Sequence, residues 1–66
     1  MTEKQRFMVY IKIGNLIANV RKNKKLKTNE AIRLLLEKKI IQKIEDLETG
    51  YYLESPFYLA EIFELA

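Results

Sequence analysis

The side chains best suited to bind another molecule are basic, and they are concentrated in two short segments. Residues 21–27 hold five Lys or Arg residues and no acidic one. Residues 38–43 add three lysines and a glutamine. Ammonium and guanidinium groups bind phosphate oxygens, and a glutamine side chain can pair with the edge of adenine. The two segments therefore indicate a phosphate-bearing partner, with an ordinary solvated helix face as the alternative.

The charge of the chain is divided unevenly along its length. Residues 1–44 contain all 12 Lys and Arg residues and three acidic residues, a net charge of +9, whereas residues 45–66 contain the other six acidic residues, a net charge of −6. A one-sided basic surface attracts polyanions and releases counterions when it neutralises phosphates. This distribution favours nucleic acid over a solvated helix end whose cations only complement the helix dipole.

The composition argues against an enzyme. The chain has no Cys and no His, which removes the usual ligands of zinc, iron and copper and the commonest general base. It has no glycine-rich phosphate loop, and a core built from 66 residues leaves little room for a substrate pocket. We therefore expect no catalytic activity, no metal and no cofactor.

The hydropathy pattern gives no sign of a membrane or export segment. No apolar run approaches the roughly 18 residues of a membrane-spanning helix. The charged start of the chain is not followed by a small-residue cleavage site of the signal-peptide kind. We expect a cytoplasmic protein that does not associate with membranes.

Helix signals dominate the chain, which contains only two glycines and one proline. A first helix over 11–23 is predicted because apolar side chains recur on one face: Val9, Ile13, Leu16, Ile17 and Val20. For residues 1–10 the pattern allows two structures, an extra turn of that helix or an N-terminal arm or strand, since apolar side chains also alternate there. Gly14 is predicted to be a close-packing site inside the first helix.

Three further helices follow from cap and breaker residues. Thr28 is a candidate N-cap for the second helix. A polar break over 37–39 precedes a third helix that ends near residue 48, where Gly50 suits a left-handed cap. Ser55 and Pro56 open the last helix, with Ser at the N-cap and Pro at the first helical position. The prediction is one all-α domain over 1–66, a bundle of four to five short helices.

The order and spacing of these elements resemble the Cro/CI-type (XRE, lambda-repressor-like) helix-turn-helix domains. The likeness covers about residues 13–66. It rests on the stretch 13–26, on Ile41-Gln42-Lys43-Ile44-Glu45 followed by Gly50, and on Ser55-Pro56 through Leu65. The resemblance implies a helix-turn-helix whose second helix reads the major groove, in a repressor-like transcriptional regulator that binds specific double-stranded DNA as a homodimer.

The resemblance also implies roles for individual residues. Thr28 and Asn29 match the phosphate-contacting start of the second helix, and Thr49 and Tyr51 match the loop after the reading helix. Arg21 and Glu45 match a structural salt bridge between the first and third helices. Together with the basic loop and the exposed face of the third helix, the candidate DNA-binding residues are Lys22, Lys24, Lys25, Thr28, Asn29, Lys38, Lys39, Gln42, Lys43, Thr49 and Tyr51.

The turn between the second and third helices departs from the family pattern. Residues 35–41 contain no glycine or other helix breaker, so residues 28–48 could instead form one helix with an apolar stripe through Ile32, Leu36 and Ile44. Such a stripe suits pairing with another helix. The alternative function is therefore a degenerate helix-turn-helix protein that acts by protein–protein interaction, as an antirepressor or a dimerisation module.

Overall fold

The chain folds into a helical bundle in a computed structural model that describes residues 1–65. These residues contain no β-strand, which confirms the predicted all-α class. Two single-turn 3-10 helices, Leu47–Thr49 and Tyr51–Leu53, connect the third and fourth α-helices. The four α-helices are α1 (Glu3–Lys24), α2 (Thr28–Glu37), α3 (Ile40–Glu45) and α4 (Pro56–Ile62).

Helix α1 begins eight residues earlier than the sequence prediction and has 22 residues. Of the two alternatives for residues 1–10, the extension of the helix is confirmed and the arm or strand is wrong. Thr2 and Gln5 form a reciprocal capping box at the helix start. The Gln5 N–H donates to the Thr2 hydroxyl (3.1 Å), and the Thr2 N–H donates to Gln5 Oε1 (3.0 Å), so two free N–H groups of the first turn are satisfied. At about 1.5 Å per residue α1 is about 33 Å long, which matches the 34 Å longest dimension of the molecule.

The connection from α1 to α2 is a tight left-handed turn. Lys25 has φ 55°, and the Leu26 N–H donates back to the Arg21 carbonyl (3.1 Å). The N-cap of α2 is Lys27, whose N–H donates to the Glu30 carboxylate (2.8 Å). Thr28 is therefore the first helical residue and not the N-cap. The Glu30 carboxylate makes the bond that the third helical residue of a capping box makes, to the N–H of the N-cap residue.

Helices α2 and α3 are separate, so the alternative of one continuous helix over 28–48 is wrong. Lys38 and Lys39 form a two-residue connection, in which Lys39 has φ 58° and its N–H donates to the Leu36 carbonyl (3.0 Å). In an unbroken helix Leu35 and Ile40 would lie about 140° apart around the axis. Both are fully buried, and only a break in the helix turns them toward one core.

The start of α4 and the backbone at Gly50 agree with the sequence prediction. The Ser55 hydroxyl accepts from the Tyr58 N–H (3.1 Å) and Pro56 is the first helical residue, so the predicted start of the last helix is confirmed. Gly50 has φ 71°, the left-handed backbone that the sequence predicts. It ends the first 3-10 turn and not α3, because α3 already ends at Glu45.

The core contains only apolar side chains. Among residues 1–65 no polar side chain is buried, and the buried residues are Val9, Leu16, Val20, Ala31, Leu35, Ile40, Ile44, Leu59, Ala60 and Leu65.

None of the helices described over residues 1–65 has the length and apolar content that crossing a membrane would require. The same residues contain no group of three or more acidic side chains placed to hold a metal ion. The charged side chains of these residues all lie on the surface of the bundle.

Candidate nucleic-acid interface

The basic segment, residues 21–27, forms the last turn of α1 and the loop that follows it. Leu26 is partly buried against the core, and this contact fixes the loop to the bundle. Every basic side chain of the segment is exposed. A cation at the C-terminal end of a helix also complements the helix dipole, which accounts for part of this charge without a partner. The exposed set comprises Arg21, Lys22, Lys24, Lys25 and Lys27.

The first turn of α2 follows directly on the basic segment. Thr28 and Asn29 are exposed there, in the part of a helix where backbone N–H groups have no acceptor within the helix. Helix α2 has 10 residues, so its two ends are about 15 Å apart. The predicted residues therefore fall into two groups: the basic segment with the start of α2, and the α2–α3 connection with α3.

Helix α3 presents one polar face to solvent. Ile40 and Ile44 are buried, whereas Gln42, Lys43 and Glu45 are exposed. At about 100° per residue Gln42 lies opposite the buried face. Lys38 and Lys39 in the connection are also exposed, so the structure brings together the lysines and the glutamine that the sequence assigned to the reading helix.

Lys43 differs from the other candidate lysines because it has an aromatic partner. Its Nζ lies 5.4 Å from the ring centroid of Phe63. The Phe63 ring in turn makes an edge contact with Tyr51, with centroids 5.2 Å apart and planes at 74°. A cation–π pair at an exposed site is worth about 0.5–1 kcal/mol. A phosphate would therefore compete with Phe63 for Lys43, and the Tyr51 ring is engaged in packing.

Thr49 has a structural role at the end of α3. Its Oγ1 lies 2.9 Å from the Lys43 carbonyl oxygen and 2.8 Å from that of Asp46, and it accepts from the Tyr51 N–H (3.2 Å). The hydroxyl proton supplies a donor for the Lys43 carbonyl, which lies near the helix end where intrahelical donors are missing. The Asp46 carbonyl already accepts from the Thr49 N–H (3.1 Å). A donor for a phosphate at this position would therefore have to come from another group than the Thr49 hydroxyl.

The predicted salt bridge between Arg21 and Glu45 is not formed within the part of the chain that the structure describes. The Arg21 Nε–H donates instead to the Leu26 carbonyl oxygen (3.4 Å), an acceptor in its own loop. Both side chains are exposed, and an exposed ion pair contributes at most about 1 kcal/mol, too little to draw them together. Glu45 and the neighbouring Asp46 thus add negative charge at the C-terminal end of α3.

Sequence reasoning missed Arg33, which is exposed on α2. Together with Lys24 it borders an open groove of about 410 Å³ between the end of α1 and α2, whose other lining residues include Glu30 and Glu37. Arg33 lies three residues after Glu30 and four residues before Glu37, a spacing typical of ordinary surface ion pairs on a helix. The only signal that could have singled it out is its place between the two basic groups.

The exposed lysine and arginine groups of this surface provide positive charge and hydrogen-bond donors, which are the groups that bind phosphate oxygens in proteins. Comparison with known proteins does not identify a relative: no family model, no curated protein and no solved structure matches the chain. The resemblance to the Cro/CI-type domains therefore remains a prediction from the order and spacing of the residues.

Proposed function

We propose that the chain binds double-stranded DNA and regulates transcription. One observation carries the proposal. Residues 21–43 hold nine Lys and Arg residues and two acidic ones, a net charge of +7, and all of these side chains are exposed. The rest of the chain has three Lys and Arg residues and seven acidic ones, a net charge of −4. Positive charge is thus collected on the end of α1, α2 and α3.

The dimensions of α2 suit contacts on both sides of a groove. The basic segment and the α2–α3 connection are about 15 Å apart along α2, and the major groove of B-DNA is about 12 Å wide. The two groups of lysines can therefore reach phosphates on opposite strands. Gln42, on the outward face of α3, would then meet the base edges, where its amide can pair with adenine.

The acidic residues at the C-terminal end of α3 set the orientation. Glu45 and Asp46 repel phosphates, whereas Lys38 and Lys39 attract them, so the N-terminal end of α3 would enter the groove and its C-terminal end would lie farther from the backbone. Helix α3 has only six residues, about 9 Å, so base contacts would be few. Most of the affinity would come from phosphates, and it would fall steeply with salt.

The test is a fluorescence-anisotropy titration of labelled random duplexes at low and near-physiological salt. The wild-type chain is expected to bind at low salt and to lose affinity as salt rises. The slope of log K against log salt is negative, and the double variant Lys22→Gln/Lys24→Gln should reduce its magnitude by about 1.8, since each phosphate contact contributes about 0.9.

The double variant Lys4→Gln/Arg6→Gln is the matched control, because it removes the same two charges from exposed positions of the same helix. It should leave the slope unchanged. Absence of binding at low salt, or an equal loss of slope in both double variants, would show that residues 21–27 do not form a DNA interface.

A second candidate function is binding to a protein. Phe57 is 77% exposed and Leu53 is 62% exposed, with Glu54 between them in the sequence, so the region around the start of α4 offers apolar and acidic groups together. A degenerate helix-turn-helix protein that acts by protein–protein interaction would use such a surface. The continuous helix over 28–48 that suggested this alternative is not formed. The same titration separates the two functions, since a protein-binding module would not bind duplexes at low salt.

A further inference from the structure

Helix α1 carries a second apolar stripe on the face turned away from the core. The buried residues of α1 are Val9, Leu16 and Val20. Phe7 is 66% exposed and Ile11 is 45% exposed, and two small residues that are also exposed continue the line at helical spacing. We name this the outer stripe, and it consists of Phe7, Ile11, Gly14 and Ala18.

Gly14 has no role inside its own chain. A Cβ built at Gly14 would have no neighbouring atom within 4 Å, so the prediction that it is a close-packing site within the fold is wrong. Glycine in the middle of a helix destabilises it relative to alanine. A glycine that lowers helix stability and accommodates no neighbour in its own chain is explained if a partner approaches the helix there from outside.

We propose that the outer stripe binds α1 of a second copy of this chain in the antiparallel direction. The stripe is complementary to itself about the point between Lys12 and Ile13. Phe7 and Ala18 are equally far from that point, and so are Ile11 and Gly14. A two-fold axis there places the two large side chains of each copy against the two small residues of the other, which lets the helix axes approach closely.

Charges at the edges of the stripe are consistent with this direction. Glu3 and Arg21 are 18 residues apart, five full turns of about 3.6 residues, so they lie on the same edge. In the antiparallel pair Glu3 of one copy faces Arg21 of the other. The opposite edge brings Lys4 against Lys22, whose flexible side chains extend into water. The attraction at one edge and the repulsion at the other largely cancel. The apolar stripe therefore supplies most of the free energy of dimerisation.

The size of the contact sets its strength. One pair of helices about 33 Å long buries less than the roughly 800 Å² per partner of a standard stable interface. The dimer should therefore be in equilibrium with the monomer at micromolar concentrations. The same pairing separates Lys24 of the two copies by 23 residues along the axis, about 34 Å, which is one turn of B-DNA and the usual spacing of paired half-sites. Only this last consequence rests on the proposed function.

The test is sedimentation equilibrium of the chain in the absence of DNA. Wild type should show a monomer–dimer equilibrium, and Gly14→Gln should raise the dissociation constant about tenfold or more, because the long side chain blocks the approach of Ile11. Gly14→Ala is the matched control, which raises helix propensity in the same way without the bulk and should change the constant much less. Phe7→Gln should weaken the dimer about tenfold, whereas Phe57→Gln, at another exposed phenylalanine, should not.

Direction is tested by disulfide formation, since the chain has no cysteine of its own. Glu3→Cys and Arg21→Cys chains should form a mixed disulfide when combined and little disulfide when oxidised separately, because the antiparallel pair keeps identical residues more than about 20 Å apart. A monomer at all concentrations, an unaffected Gly14→Gln dimer, or disulfides between identical residues would each overturn the proposal. A dimer that fails to bind duplexes would contradict only the proposed function.

Discussion

The backbone at Lys39 provides a sharp test of the α2–α3 connection. Lys39 has φ 58°, a left-handed conformation that costs a residue with a Cβ about 1–2 kcal/mol. Glycine adopts it freely but gives the unfolded chain more freedom, which lowers stability by about 0.5–1 kcal/mol. The difference predicts that Lys39→Gly raises the free energy of unfolding by about 0.5–1 kcal/mol.

The neighbouring lysine is a matched control of opposite sign. Lys38 has φ −84° and ψ 0°, where a side chain is not strained, so Lys38→Gly should lower the free energy of unfolding by about 0.5–1 kcal/mol. Both variants lose one exposed lysine, and any effect of charge is therefore shared. In a domain of this size the two melting temperatures should move in opposite directions by about 2–8 °C.

The assay is urea unfolding followed by far-ultraviolet circular dichroism, with equal m-values as the check that the unfolded states are comparable. If Lys39→Gly destabilises the protein as much as Lys38→Gly does, the left-handed residue is not at position 39. The two-residue connection between α2 and α3 would then be refuted, and with it the separation of these helices.

Two further predictions concern α2 and α3. Leu35→Ala should lower the free energy of unfolding by about 2–5 kcal/mol, because Leu35 is fully buried. Leu36→Ala should change it by less than about 0.5 kcal/mol, because Leu36 is 56% exposed. Urea unfolding of both variants measures the two effects, and a larger loss for Leu36→Ala would indicate the buried stripe of a continuous helix. Gln42→Ala should weaken binding to a selected duplex by about 1–3 kcal/mol and relax the base preference at one position. An equal loss on all sequences in the anisotropy assay would count against base contact by Gln42.

The helix ends were predictable where a side chain marks them. Ser55 and Pro56 mark the start of α4 and Gly50 marks a left-handed cap, because each residue type has a specific backbone function. The start of α1 was missed although its signal is present, a Thr followed three residues later by Gln. The apolar alternation over residues 7–13 suggested an arm or strand, and the capping box prevails because the same residues also continue the helical face of Val9.

The polar residues 37–39 predicted the position of the break between α2 and α3, but neither its backbone geometry nor the partner of Arg21 could be predicted from residue types. A lysine in a left-handed turn has no sequence signature, and one continuous helix is excluded only by the need to bury Leu35 and Ile40 in one core. The Arg21 side chain bonds to the Leu26 carbonyl, whose position depends on the loop conformation. Exposure of the lysines was predictable, because their charge keeps them in water.

Two positions of the chain disagree with what folding alone would select. A glycine would suit the backbone at Lys39 better than lysine, and an alanine would suit α1 better than Gly14. Left-handed non-glycine residues do not by themselves indicate function, since Glu64 has φ 58° outside both proposed surfaces. Lys39, however, places a cation at the start of α3, and Gly14 leaves room at the centre of the outer stripe. Each choice lowers the stability of the monomer and serves a contact proposed for that surface, which is the pattern expected where binding constrains the residue.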